Sequence, residues 1–215
     1  MVAGYRAQKA ALARAMRSRG SAFYNLFLRG GQLEGAIIFL HPLSRGTVTV
    51  DAADPYLAQP AVDYRALSNP ADLEVLGEFT RFTRRYFTGT RLARFGAVEQ
   101  PPYAGLTTDA QLAPALRANL NPSSFHPVGT AAMMPRDLGG VVDERLLVYG
   151  VQRLSVVDAS VIPDLPGAYT QQPVYAIAEK VSFSFAVSRS RKADSGWVGG
   201  RPDQGASVKN RGWWR

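Results

Sequence analysis

His126 is the residue of this chain whose type and setting are best suited to acid–base chemistry. It lies in the sequence FHPVGT at residues 125–130, where proline and glycine on its C-terminal side indicate a loop. A loop histidine is the most common general base near neutral pH, although a histidine at the edge of a core is often only a hydrogen-bonded structural residue. His41 is also followed by proline, and residue type alone does not separate the two.

The elements that must position such a residue are a mixture of helices and strands without regular β-α-β alternation, which predicts an α+β fold. The predicted helices are residues 5–19, with an alanine stripe, 70–88, a segment beginning after Thr108, and 173–187. The predicted strands are residues 36–40, 47–51, 146–149 and 154–157. On the second helix, Val75, Phe79, Phe82 and Tyr86 are expected to face inward. Pro114 is expected to kink or shorten the third helix.

Composition and charge exclude several classes of function. The chain has 215 residues, no cysteine and two histidines, so neither a thiolate site nor a histidine-based metal centre is expected. No apolar run is long enough to span a bilayer. The net charge of +8 is concentrated in residues 1–30 and 189–215, whereas the body between them is mildly acidic. We therefore expect no nucleic-acid groove through the fold.

Several ordered blocks around His126 are similar to the C-terminal signature of glucose-methanol-choline (GMC) oxidoreductases. The downstream blocks are HPVGT (126–130), GGVVD (139–143), VYGV (148–151), LSVVDASVIP (154–163) and PVYAIAEK (173–180). The upstream blocks are HPLSRGTV (41–48), DY (63–64) and NPAD (69–72). The resemblance covers roughly residues 35–187.

This resemblance implies the oxidation of a small-molecule alcohol to a carbonyl compound, with FAD as the hydride acceptor and His126 as the base. Asp158 and Ala159 would lie against the FAD pyrophosphate and ribityl region. Thr170 and Gln171, at the entrance of the last helix, would stabilise negative charge on the reduced flavin. Thr170 could equally be only a helix cap. By this resemblance, His41 is expected to lie in a turn between strands.

Tyr169 is a departure from the family pattern, because a second histidine or an asparagine usually precedes the last helix. A phenol donates a hydrogen bond but is a poor base at neutral pH. Two interpretations follow: single-base catalysis by His126 with Tyr169 orienting the substrate, or a weakened or non-redox site, such as that of a cyclase-like relative. An inactive remnant is a further alternative.

The second departure concerns the FAD-binding half, whose strand, Gly-x-Gly-x-x-Gly turn and helix have no counterpart in this sequence. We therefore expect a fragment whose partner is the missing FAD-binding half, with an exposed apolar face and poor solubility. The expected division is a basic helical segment (1–34), a substrate domain with an antiparallel sheet flanked by helices (35–125), a catalytic and FAD-contacting strand–helix piece (126–188) and a disordered basic tail (189–215). The sequence leaves the cellular compartment open.

Overall fold

The computed structural model describes residues 2–28 and 35–194, and within them the fold is α+β, as the sequence predicts. The α-helices are α1 (Val2–Met16), α2 (Pro70–Thr88), α3 (Asp109–Asn119) and α4 (Gln171–Asp194). The strands are β1 (Tyr24–Leu28), β2 (Gly35–Phe39), β3 (Thr47–Thr49) and β4 (Ala61–Asp63). Short 3₁₀ helices occur at Arg91–Phe95, Arg136–Leu138 and Ala159–Val161.

The described strands form two separate antiparallel pairs. Strand β1 pairs with β2 from Tyr24 opposite Phe39 to Leu28 opposite Gly35, and β3 pairs with β4. The sequence analysis predicted β2 and β3 but not their partners β1 and β4. Both missed strands are only three to five residues long, which is too short for a clear alternation.

The first buried cluster lies between α2 and α3 and contains Leu67, Leu76, Leu112 and Leu116. Both helices begin as predicted: the Asn69 side chain accepts a hydrogen bond from the Ala71 N–H, and Thr108 forms a reciprocal capping box with Gln111. Such caps contribute about 1 kcal/mol each. Leu112 is fully buried, and burial of a leucine side chain stabilises a fold by about 1.5–3 kcal/mol.

The inward face of α2 differs from the predicted one. Its buried residues are Asp72, Leu76, Gly77 and Thr80, whereas Phe82 and Tyr86 are exposed. The two predicted aromatic residues instead belong to a ring cluster with Tyr24 on β1, whose ring lies 5.8 Å from that of Phe82. The prediction was wrong for Phe82 and Tyr86, because the missed strand β1 provides an aromatic partner on the outer face, whereas the predicted inward residue Phe79 does pack against the first buried cluster.

Helix α3 continues through Pro114 to Asn119, so the proline does not end it. Proline removes one backbone hydrogen bond, but Leu112 and Leu116 on either side of it are both buried. Packing of these two leucines against α2 therefore outweighs the local cost.

The second buried cluster consists of Val142, Leu146 and Val161, with Ile177 and Val181 of α4 packed against it. The strands predicted at 146–149 and 154–157 do not form, and isolated bridges such as Leu147–Ser155 replace them. Leu146 and Arg153 have φ angles of 64° and 61°, outside the extended region. These two residues interrupt the backbone that a strand would need.

Helix α1 packs on the C-terminal part of the chain through Gly4 and Gln8. A Cβ atom at Gly4 would lie 1.9 Å from the Leu138 carbonyl oxygen, so only glycine permits this approach. The Gln8 amide donates a hydrogen bond of 2.9 Å to the Pro163 carbonyl. Of the predicted stripe of Ala7, Ala10, Ala11 and Ala15, only Ala7 is partly buried, and the contact face instead contains Gly4, Gln8 and Leu12.

Helix α4 continues past Ser188 to Asp194, so residues 189–194 are helical and not disordered as predicted. The remainder of the predicted tail, 195–215, lies outside the described residues. Within the described ranges, no helix combines the length and apolar character that crossing a bilayer requires.

Candidate functional site

His126 is half-buried in the loop that follows α3. Local hydrogen bonds shape this loop: the Ser123 N–H donates to the Asn121 side chain, and the Phe125 N–H donates to the Ser123 hydroxyl at 3.0 Å. Phe125 has a φ of 62°, and its side chain points into solvent. The loop therefore presents the imidazole from a short, internally bonded turn.

Two backbone hydrogen bonds join this loop to the block that contains Asp158. The Ala131 N–H donates to the Ser160 carbonyl at 3.0 Å, and the Met133 N–H donates to the Val161 carbonyl at 2.8 Å. Gly129 has a φ of 88°, which places the chain beside Ile162. The structure thus places two of the sequence blocks side by side although they are far apart along the chain.

Asp158 and Ala159 begin the 3₁₀ helix at Ala159–Val161. The Asp158 carboxylate accepts hydrogen bonds from the Ser160 N–H, at 2.8 Å, and from the Ser160 hydroxyl. Asp158 is itself exposed, and Ala159 is partly buried. Among the described residues, no hydrogen bond or ring contact joins Asp158 to His126, so the structure does not bring these two predicted residues into direct contact.

Thr170 and Gln171 stand at the N-terminus of α4. The Thr170 carbonyl accepts a hydrogen bond from the Val174 N–H at 3.0 Å, and its side chain is buried. The N–H groups of Gln171 and Gln172 have no intrahelical acceptor because they belong to the first turn. This 24-residue helix therefore offers backbone donors and the positive end of its dipole at the site.

Tyr169 immediately precedes these residues, and its ring lies against that of His126. The ring centroids are 5.2 Å apart at an interplanar angle of 63°, an edge-to-face contact. The structure thus brings together the two residues predicted to act in catalysis. It places them at the open end of α4, where a ligand with negative charge is favoured.

The residues at this site fit the chemistry of a bound flavin. An imidazole and a phenol stand beside backbone N–H donors and the exposed Gln171, and no carboxylate belongs to this group of described residues. Such a donor set accommodates an anionic ring system without a competing negative charge. Thr170, Gln171 and the two rings are the residues that could hold one face of the cofactor.

Contacts from outside the predicted site residues reach the segment before Tyr169. The loop after β2, residues 41–46, contacts the segment before Tyr169 through His41 and Arg45, and Asp72 of α2 holds the loop. The sequence analysis included Asp72 only as part of the NPAD block at residues 69–72. No pattern of local spacing links it to Leu43 and Ser44, which lie 29 and 28 positions away.

This chain is similar in sequence and in fold to known GMC oxidoreductases. The GMC oxidoreductase family model, for the C-terminal domain, matches residues 42–178. The dehydrogenase xptC of Emericella nidulans is 34% identical over 158 residues, which cover 74% of this chain and 24% of that protein. The sequence analysis expected FAD as the cofactor of the family. This expectation is confirmed by a similar solved structure, which is that of an FAD-dependent oxidoreductase.

Two solved structures have the same fold as this chain. An FAD-dependent oxidoreductase from Chaetomium thermophilum has a TM-score of 0.82 at 33% identity, over 88% of this chain and 32% of that one. A fungal aryl-alcohol oxidase has a TM-score of 0.77 at 39% identity, over 84% and 30%. The chain spans about a quarter of the length of the curated relatives it matches.

Proposed function

Because this chain belongs to the GMC oxidoreductase family, we propose that it supplies the substrate-facing side of an FAD-dependent site that oxidises an alcohol to a carbonyl compound. The observation that carries the proposal is the contact between His126 and Tyr169, 5.2 Å between ring centroids, at the N-terminus of α4. The proposal extends to the alcohol donor, the roles of individual residues and the need for a second FAD-binding segment.

His126 is the base in this proposal. Its imidazole takes the proton of the substrate hydroxyl, and this proton transfer makes the carbinol carbon a better hydride donor. FAD, when bound, accepts that hydride. The loop of His126 is anchored by its backbone bonds to Ser160 and Val161, which keep the imidazole in a fixed position during the transfer.

Tyr169 orients the substrate. Its hydroxyl donates a hydrogen bond to the substrate oxygen, and its edge-to-face contact restricts the rotation of the His126 ring. The backbone amides at Thr170 and Gln171 stabilise negative charge that develops next to the site. Asp158 and Ala159 line the pyrophosphate and ribityl side through the backbone of their turn, since the Asp158 carboxylate is already bonded to Ser160.

The aryl-alcohol oxidase among the structural relatives supports an alcohol as the donor, because its name specifies a CH–OH substrate. It does not select one alcohol for this chain. The partner in the proposal is a polypeptide segment with the Gly-rich dinucleotide-binding turn, which seats the FAD pyrophosphate in such folds.

The first test is the visible absorption spectrum of the purified chain after incubation with FAD and desalting. Flavin bands that remain, and that decrease under anaerobic addition of an alcohol with formation of an equal amount of carbonyl product, support the oxidation. Conversion of the alcohol to a product of the same oxidation state, with the flavin bands unchanged, would instead indicate a non-redox reaction. If the protein is colourless, the same assay is carried out on the chain joined to an FAD-binding segment.

The second test compares His126→Gln with Gln152→Ala, a substitution of an exposed residue outside the site, in whichever form retains flavin. Removal of the base lowers kcat by about 10²–10⁴-fold, while the exposed control is expected to leave kcat nearly unchanged. Both variants should retain flavin absorbance. Equal turnover of His126→Gln and the unsubstituted protein would refute the role of His126.

A further inference from the structure

The loop at residues 41–46, which follows β2, touches the segment that leads to Tyr169. His41 is buried at the start of this loop, with 9% of its surface exposed. Its imidazole faces the backbone of Ala22, just before β1, and of Leu165, and both favour its protonated form. One side chain therefore connects the β1–β2 pair to the chain four residues before Tyr169.

Gly167 shows how closely this segment approaches His41. A Cβ atom at Gly167 would lie 3.3 Å from the Ala22 carbonyl oxygen and 3.5 Å from Nε2 of His41. Such a Cβ atom would be tight against the Ala22 carbonyl oxygen and in ordinary van der Waals contact with the imidazole. Gly167 therefore lies next to both groups.

A second contact joins the same loop to Asp164, the residue before Leu165. The Arg45 guanidinium forms an ion pair with the Asp164 carboxylate, and both side chains are partly shielded from solvent. The loop itself is held by buried Asp72, whose two carboxylate oxygens accept hydrogen bonds of 2.7 Å from the N–H groups of Leu43 and Ser44. Contacts therefore run from α2 through the loop to Asp164 and Leu165.

We propose that His41 is a positioning residue of the candidate site, which fixes the segment 164–169 and so sets the orientation of the Tyr169 ring against His126. The catalytic importance of this ring orientation rests on the proposed function. Its geometry is independent of any cofactor. Arg45 assists through Asp164, while neither His41 nor Arg45 touches the reacting atoms.

The charge state of His41 is part of this role. Burial lowers the pKa of His41 below its usual value and nearby Lys9 acts in the same direction, whereas the backbone of Ala22 and of Leu165 and the charge of Asp164 oppose the change. Between the lowered folded pKa and the usual value of about 6.5, the unfolded chain binds more protons than the folded one. Folding stability should therefore fall as the pH drops below about 6.5, and His41→Gln should reduce this dependence.

The decisive experiment uses the ring signals of His126 in NMR spectra of the 215-residue chain. The chain contains only two histidines, so removal of His41 leaves a single set of imidazole signals. Tyr169→Leu removes the ring current of the phenol and defines the shift of the His126 signals that accompanies loss of the contact. His41→Ala is expected to move the His126 signals in the same direction, and His41→Gln, which retains an N–H donor, to move them less.

Leu112→Ala is the control, because it destabilises the α2–α3 cluster without touching the segment 164–169. It should leave the His126 signals in place.

Arg45→Met gives an independent variant that breaks the ion pair with Asp164 in case His41→Ala does not fold. Unchanged His126 signals in folded His41→Ala, or in Arg45→Met if the first does not fold, would overturn the proposal. The absence of a shift in Tyr169→Leu would do the same. None of these readouts requires FAD or turnover, so they stand or fall separately from the proposed reaction.

Discussion

The two buried clusters of this molecule are held together in different ways. The α2–α3 cluster is built from capped, regular helices whose leucines interdigitate. The cluster around Val142, Leu146 and Val161 is built from loops joined by single backbone bonds, and only α4 adds a regular element. The candidate site residues belong to the second region. Their placement therefore depends on individual hydrogen bonds more than on helix packing.

The sharpest way to test this contrast is to remove one leucine from each cluster. Leu112→Ala and Leu146→Ala each delete a nearly fully buried side chain, and each is expected to cost about 2–5 kcal/mol of the free energy of unfolding. Only Leu146→Ala should also weaken flavin retention, because its cluster supports α4. Chemical denaturation and the FAD spectrum measure the two effects. Equal flavin loss in both variants would show that the clusters do not differ in this respect.

A smaller effect is expected at the carboxylate that connects the two regions. Asp72→Asn replaces one acceptor oxygen by an amide that cannot accept from a backbone N–H, at a cost of about 1.5–3 kcal/mol. Thermal unfolding measures this loss. Asp63→Asn is the matched control, because among the described residues the exposed Asp63 carboxylate bonds only to nearby Arg65, and it should leave Tm almost unchanged. A similar Tm for Asp72→Asn and the control would contradict the assigned role.

The smallest effect, and of opposite sign, is expected at Lys9 of α1. Its Nζ atom is buried with no hydrogen-bond partner among the described residues, although it stands 5.1 Å from the centre of the Tyr5 ring. Burial and the nearby Arg45 lower the pKa of Lys9, and Asp164 and Asp72 oppose them, so folding disfavours its charged form. Lys9→Met should leave Tm equal or a few degrees higher. Exposed Arg6→Met is the control, and a clear loss of Tm confined to Lys9→Met would show that the ammonium is stabilising.

The sequence predicted the first region better than the second, for physical reasons. The start of α2 at Asn69 and Pro70 and the capping box at Thr108 follow from local rules, and both are confirmed. The bridges of the second region follow from positive φ angles at Leu146 and Arg153, residues that rarely adopt them. Such a backbone produces no repeat of apolar residues every two or 3.6 positions, so the sequence pattern does not reveal it.

The candidate site was found by family resemblance and not by periodicity. The resemblance selected His126 and Tyr169, and the structure places their rings in contact. The resemblance gave no indication that His41 and Arg45 contact the segment 164–169. Their partners, Leu165 and Asp164, lie more than a hundred positions along the chain, beyond the reach of any local pattern.

The docking of α1 has a consequence for how the chain folds. Gln8 contacts Met134 and Pro163 across separations of 126 and 155 residues, so α1 can make these contacts only after at least 155 further residues have been synthesised. Closing such long loops is slow, because their entropy must be lost before the contacts stabilise anything. Until then the Leu12 face of the helix stays open to solvent, and the nascent chain is most exposed to aggregation during that interval.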